Sequence, residues 1–396
     1  MMPTADVLVV GGGIAGVSIA ADLASDHRVI LAETERVLAH HTTGRSAAIF
    51  IESYGHPLVR ELSRASRSLL MHPPMDLVDG PLCQPRAMMF VATESQRASF
   101  DALVVAQPQL QELDRAGIVD LVPALAGGDS ARGACDFEAL DIDVSGLHQL
   151  FVRQLRNRGG EINLSSPVRA LAPNGTDQGW RATLGDATVE VGVVINAAGA
   201  WGDVVAAMAG VAPVGLTPRR RTIFTTPWKP GSQNTHGGSA EFDKLETGRA
   251  ETSRAETSSS VPVGGWPLVV DVDEQFYFRN EGQDLLLGSA ADETPSEPCD
   301  AKAEEIDVAL GIARINEATD LDIRSVTSAW AGLRTFSPDR APVIGFDDQA
   351  PGFFWLVGQG GTGIQTSPGA AALAGRVVRG DQEPGAFGVS RLREWL

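Results

Sequence analysis

Residues 6–33 constrain the fold of this chain more tightly than any other stretch. DVLVV (6–10) is an unbroken apolar run, the pattern of a strand covered on both faces. GGGIAG follows without a spacer, VSIAADLAS then reads as a helix, and RVILAE reads as a second apolar strand ending in Glu33. Gly11, Gly13 and Gly16 fit G-x-G-x-x-G, with Ile14 and Ala15 between the second and third glycines. The first glycine allows the tight turn, the second lets a diphosphate approach the backbone, and the third lets helix and strand pack closely. The helix N-terminus adds free N–H groups and a partial positive charge. Glu33 stands twenty residues after Gly13, where a carboxylate accepts hydrogen bonds from ribose hydroxyls and repels a 2′-phosphate. Together these features predict a Rossmann-like dinucleotide site, which a glycine turn alone would not.

Composition narrows the partners. With 396 residues and 43% hydrophobic content, the chain can build a large core, most simply as two domains. A net charge of −18 favours solubility and argues against nucleic acid, whose phosphates it would repel. Cys83, Cys135 and Cys299 lack CxxC spacing, so neither a disulfide framework nor a zinc site is expected, no metal is called for, and a reducing cytoplasm is the simplest setting. Residues 6–24 are apolar enough to suggest a signal or membrane segment, but they begin with an aspartate, lack a basic leader and are broken by four glycines. No integral membrane segment is expected.

The segment HHTTGRSAA (40–48) separates nicotinamide from flavin readings. A nicotinamide enzyme would continue with another βα unit here. Instead this polar loop and the first motif resemble the D-amino-acid oxidase superfamily of flavoproteins, in its glycine oxidase, sarcosine oxidase and D-amino-acid dehydrogenase branch. The resemblance implies that Thr43, Arg45, Ser46 and Ala47 line FAD. It continues along most of the chain. SGLHQLFVRQLRNRGG (145–160) reads as a helix capped by Ser145 and ended by Gly159, with apolar residues 147, 150, 151 and 155 on one face. EINLSSPVRAL resembles the family strand whose valine backbone, here Val168, meets the adenine. TVEVGVVINAAGAW (188–201) ends in small residues, Ala197, Ala198 and Gly199, that the resemblance places against the cofactor. FFWLVGQGGTGIQTSPGAAALAGRVV reads as a buried strand, a glycine turn and a helix. Gly360, Gly361, Thr362, Gly363 and Ile364 would set backbone N–H groups and a helix dipole against the flavin pyrimidine. Sarcosine oxidases tether FAD through a cysteine where this chain has Gly332, so FAD is expected to be non-covalent.

The expected architecture is therefore α/β. A Rossmann-like FAD-binding domain is discontinuous over 1–74, 140–214 and 325–396. A substrate domain built on an antiparallel sheet takes 75–139 and 215–324. Residues 233–262 carry an imperfect RAETS tandem and few large apolar side chains, so they read as a disordered or mobile insertion, or as a lid.

Four residues form the expected substrate constellation. WAGLRTFSPD (330–339) matches the family segment that supplies a carboxylate-binding arginine, here Arg334, whose planar guanidinium suits two parallel hydrogen bonds. In LTPRRRTIF (216–224), register with the D-arginine dehydrogenase pattern favours Arg221 as a second, while Arg219 and Arg220 read as a solvated edge strand. Tyr54 and Tyr277, the only two tyrosines, fall where that pattern has substrate-facing tyrosines. Alternation in QFYFRN puts Phe276 and Phe278 on one face and Tyr277 on the other. The pattern's glutamate for a substrate guanidinium is replaced by Ala87, and its histidine by Ile49. A pocket of Ile49, Phe50, Ala87 and Met88 or Met89 offers a cationic side chain no partner.

The resemblance implies oxidation of a Cα–N bond by hydride transfer to flavin N5, with Arg334, Tyr277, Arg221 and Tyr54 around the substrate. An apolar D-amino acid would give a keto acid and ammonia; an N-substituted glycine would give glyoxylate and an amine. Oxygen or a quinone would reoxidise the flavin. The alternatives are a nicotinamide dehydrogenase on the same βαβ start and a flavin-binding protein without amine chemistry.

Overall fold

A computed structural model describes residues 4–175, 179–228, 265–282, 284–291 and 294–393. The proposed insertion at 233–262 lies outside the described residues. The opening motif folds as its pattern demands. Thr4–Val10 and Val29–Ala32 are adjacent parallel strands, joined by the helix Ile14–Leu23. They sit inside an eight-stranded sheet whose main path also includes Glu161–Asn163, Val168–Pro173, Trp180–Leu184 and Ala187–Asn196. Phe353–Val357 adds to it in parallel beside Ala187–Asn196. Strands from distant parts of the chain thus end at one edge, the arrangement in which open α/β sheets bind ligands. Apolar side chains on both faces explain its continuous hydrophobic runs: Val7 and Val9 enter one core, Leu8 and Val10 the other.

Local capping differs from expectation in one helix. Val144–Asn157 begins one residue before Ser145, and Asp143 is its N-cap, accepting from the Gly146 N–H at 2.8 Å. An aspartate caps as well as a serine, and this one stands two residues before Ser145. The stretch EINLSSPVRAL is two strands rather than one. Glu161–Asn163 extends the parallel row beside Val29–Ala32, and Val168–Pro173 pairs with Trp180–Leu184.

The second large sheet has ten strands, with Thr217–Pro227 in its interior between Ser328–Phe336 and Leu285–Ser289. It is antiparallel except where Leu268–Asp271 runs parallel to Met88–Ala92. Ser328–Phe336 falls within 325–396 yet hydrogen-bonds into this second sheet. The arginine run is consequently not a solvated edge: Arg220 is largely enclosed and pairs with Asp307 at 3.1 Å and with Glu304. Tyr277–Glu281 lies two strands further on, and Phe276 and Phe278 pack into the core on the face opposite Tyr277. No helix among the described residues is long and apolar enough to cross a membrane.

Gly16 sets the closest contact of the opening motif. A methyl group there would overlap the Gly11 carbonyl oxygen, a backbone atom with nowhere to move. Gly16→Ala should therefore destabilise the protein by roughly 1–3 kcal/mol, the usual range for overpacking, read as a lowered urea midpoint at unchanged slope.

Candidate active site

Three cavities run in series along the edge where the two large sheets meet. The outermost, about 440 Å³, is lined by Gly11–Gly13, Glu33, Val168, Ala198 and Gly199, with Trp201 and Met208 on its far side. Gly11 has φ +109°, a conformation that needs glycine. Glu33 locks the turn: its Oε2 accepts from the Gly12 N–H at 2.6 Å and its Oε1 from the Glu35 N–H at 2.9 Å.

The other side of the same residue is held by a group that sequence reading missed. His148, buried on Val144–Asn157, makes a 3.1 Å hydrogen bond to the Gly12 carbonyl oxygen through Nε2. A carbonyl can only accept, so Nε2 carries the proton and the imidazole is fixed in one tautomer. Burial lowers its pKa, partly opposed by this bond, and so favours the neutral form. Because a trans peptide points its C=O and N–H in opposite directions, drawing the Gly12 carbonyl toward His148 turns the Gly13 N–H away from the imidazole. The LHQL pattern put His148 beside the apolar face, but no local signal tied it to Gly12.

The middle cavity, about 150 Å³, is lined by Gly13, Ile14 and Ala15, by Thr43, Arg45, Ser46 and Ala47, and by Gly332 and Gly360–Gly361 with Gly363–Ile364. Gly16 lies beneath, packing helix on strand as its position in the motif requires. Thr43 accepts from the Ile14 N–H at 3.0 Å, closing an orphan donor of the helix start. Arg45 faces this cavity too, but its guanidinium donates to the carbonyls of Ala301 at 2.6 Å and Ala331 at 3.0 Å and pairs with Asp300. It acts as a strut tying the loop to the second sheet. Thr42 adds to this, donating to the Leu333 carbonyl at 2.9 Å. The helix Gly363–Arg379 aims its N-terminus at the cavity, and Ser367 donates to the Ile364 carbonyl that Pro368 cannot serve.

The innermost cavity, about 110 Å³, contains the expected substrate residues together: Tyr54, Tyr277, Arg221, Arg334 and Ile49; Thr362, expected beside the flavin, lines this cavity and not the middle one. Strand register explains the arginines. Arg219 stands opposite Arg334 and Arg221 opposite Gly332, so Arg221 and Arg334 project from one face as diagonal neighbours. The Arg221 guanidinium lies 5.8 Å from the Tyr277 ring centroid. Arg334 lies over Gly361, where an added Cβ would meet its Nη1 at 2.7 Å.

Three expected pocket residues lie elsewhere. Phe50 is in the core beneath the first sheet, while Ala87 and Met89 face the core on the other side of their strand. Period-two alternation puts Met88 in the cavity instead, with Leu268, Val270 and Leu287. The residue that sequence reading overlooked is Glu274, which lines this cavity with a non-glycine φ of 54° and accepts from the Tyr54 hydroxyl at 2.8 Å. Burial raises the Tyr54 pKa well above the usual phenol range, the Glu274 charge and hydrogen bond add to this, and Arg334 and Arg221 oppose it. Tyr54 therefore stays a neutral donor.

The arrangement is matched by known proteins. The model of the FAD dependent oxidoreductase (DAO) family matches residues 6–376. The chain belongs to this family. Its cofactor is FAD, and the glycine turn, the Glu33 wall and the helix N-terminus fit the diphosphate-and-ribose half, with the middle cavity left for the ring system. Hydrogen cyanide synthase subunit HcnC of Pseudomonas aeruginosa is 23% identical over 308 residues, covering 75% of this chain; the chain spans only 64% of that relative. Glycine oxidase from Geobacillus kaustophilus superposes with a TM-score of 0.80 at 17% identity, covering 98% of this chain and 99% of the other. L-proline dehydrogenase from P. horikoshii gives 0.78 at 14%, covering 100% and 99%. None of the three cysteines lines these cavities.

Removing the His148 donor tests its part in shaping the flavoprotein's glycine turn. His148→Leu should weaken FAD binding to the apoprotein about five- to tenfold, the size of one hydrogen bond, and His148→Gln, which keeps an N–H, should recover most of it. Quenching of flavin fluorescence on reconstitution measures both.

Proposed function

We propose that this flavoprotein oxidises the Cα–N bond of an amino-acid-type substrate, either an apolar D-amino acid or an N-substituted glycine. The observation that carries the reading is the sharing of Arg221 and Arg334 between the middle and innermost cavities, so that a carboxylate anchor stands at the boundary of cofactor and substrate space. The first sheet then serves the cofactor and the second the substrate. FAD, when bound, accepts a hydride at N5. Arg334 holds the substrate carboxylate by two parallel hydrogen bonds, and Arg221 adds charge from the neighbouring strand. Tyr277 donates a further hydrogen bond from its hydroxyl. Fixing the carboxylate at that boundary orients the α-carbon toward the middle cavity, where the entropic cost of alignment is met before reaction.

Met88, Leu268, Val270 and Leu287 enclose the side chain and exclude water. Among the described residues, Glu274 is the one carboxylate lining the same cavity, and Tyr54 already donates to it. The substrate amine binds as the free base, so no side-chain base is required. The imine product hydrolyses to a keto acid and ammonia, or to glyoxylate and a shorter amine, and the electrons pass to oxygen or a quinone. Relatives named as an amino-acid oxidase and an amino-acid dehydrogenase support a substrate of this class.

The substrate is tested by anaerobic flavin bleaching with apolar D-amino acids, N-alkylglycines and D-arginine. Bleaching fastest with one of the first two sets supports the reading, and fastest with D-arginine overturns the apolar pocket. Tyr277→Phe should keep the fold and raise KM about tenfold, and Arg334→Ala should raise it roughly 10- to 100-fold, as for loss of a charged hydrogen bond. An unchanged KM in steady-state assays of Arg334→Ala would refute its role.

A further inference from the structure

We propose that His40, His41 and Asp300 bind a divalent cation of the zinc type at the rim of the FAD cavity, with Glu35 orienting His41. His40 and His41 precede the loop that runs along the cofactor, and both line the outer cavity with Glu35. Asp300 reaches the same point from the second half of the chain. Its Oδ1 lies 3.9 Å from His40 Nε2 and 3.7 Å from His41 Nδ1. Ligand atoms on a tetrahedral zinc, each about 2.0–2.1 Å from the metal, lie roughly 3.4 Å apart. The two carboxylate–imidazole separations therefore lie within about 0.5 Å of that spacing.

The state of His41 points to such a ligand independently. Its Nδ1 is buried and has no hydrogen-bond partner, an uncommon condition for a buried polar atom. Its Nε2 lies 3.1 Å from Glu35 Oε1. A carboxylate accepts, so Nε2 carries the proton, and in the neutral ring Nδ1 presents a lone pair. A carboxylate on the far nitrogen of a metal-ligating histidine is the usual second partner at such centres, where it fixes tautomer and ring direction. Trp201 packs against the His41 ring at 4.7 Å and His40 stands edge-on to it at 4.9 Å, which limits ring rotation.

Asp300 is already an acceptor for Arg45, and this hydrogen bond is the main reason its pKa lies below the usual carboxylate value. A carboxylate offers about four lone-pair sites, so an ion can share it. Glu35 and Asp300 against Arg45 leave the cluster one net negative charge, favourable for a cation. Two imidazoles with a carboxylate select zinc, nickel or cobalt over magnesium and calcium. Among the described residues, Glu35, His40 and His41 make up the one group of three such side chains whose ligand atoms lie within 4.8 Å of one another; it shares both histidines with the proposed site and holds Glu35 where the site takes Asp300. A bound ion would join the 300 loop to the 40–41 segment across the rim.

The test is calorimetric titration of the FAD-loaded protein, stripped by chelator and dialysed, with zinc chloride and in parallel with magnesium chloride. One zinc per chain is expected, and no magnesium heat. His40→Ala, at an exposed position, should weaken zinc binding at least tenfold with thermal melting unchanged; Asp300→Asn should weaken it at least tenfold and Glu35→Gln about tenfold. Absence of zinc heat in the parent protein, or zinc binding undiminished in both His40→Ala and Asp300→Asn, overturns the site.

Discussion

The pairing of Thr217–Pro227 with Ser328–Phe336 is the contact on which the site depends. It brings Arg221 and Arg334 to one face although more than a hundred residues of chain separate them. The same pair of strands is fastened to the cofactor loop, because Thr42 bonds Leu333 and Arg45 bonds Ala331. Carboxylate anchor and flavin loop thus sit on one rigid unit, and a shift in strand register would displace both. A slip of one residue between the two strands would leave the arginines on opposite faces of the sheet, so the site selects a single register.

The cofactor side is organised in advance by a similar economy of contacts. Glu33 holds the Gly12 N–H and His148 holds its carbonyl, so the turn has its shape before any diphosphate arrives. Donors fixed in this way need little reorganisation on binding, which is where preorganised anion sites gain affinity. Glu33 thereby combines its expected place in the wall of the nucleotide cavity with a second task inside the protein. Arg45 likewise faces the flavin space while serving as a strut.

Much of this was legible in the sequence because it is local. Apolar runs, glycine spacing and the acid at residue 33 specify the βαβ unit without reference to the rest of the chain. The short motifs around Thr43, Gly361 and Arg334 carried the resemblance through to the family. The errors arose where a face or a distant partner decided the outcome. Ala87, Met88 and Met89 are adjacent and all apolar, so sequence could not say that the middle one meets the cavity. Phe50 follows Ile49 and points the other way for the same reason. Arg219 and Arg220 looked solvated, yet Asp307 and Glu304, remote in sequence, neutralise Arg220 inside the sheet. Glu274, His148 and Asp300 were missed because each acts through a long-range contact: Glu274 on Tyr54, His148 on Gly12, and Asp300 on Arg45 and the His40–His41 pair.

The central claim is that Arg334 and Arg221 hold a carboxylate beside the flavin. A spectral titration reads this without turnover: a non-oxidisable carboxylate such as benzoate is added to the oxidised holoprotein, and the flavin absorbance bands are followed. The account predicts a saturable band shift in the parent protein and at least tenfold weaker binding in Arg334→Ala, at equal FAD content. Equal benzoate affinity in the parent, Arg334→Ala and Arg221→Ala would contradict it.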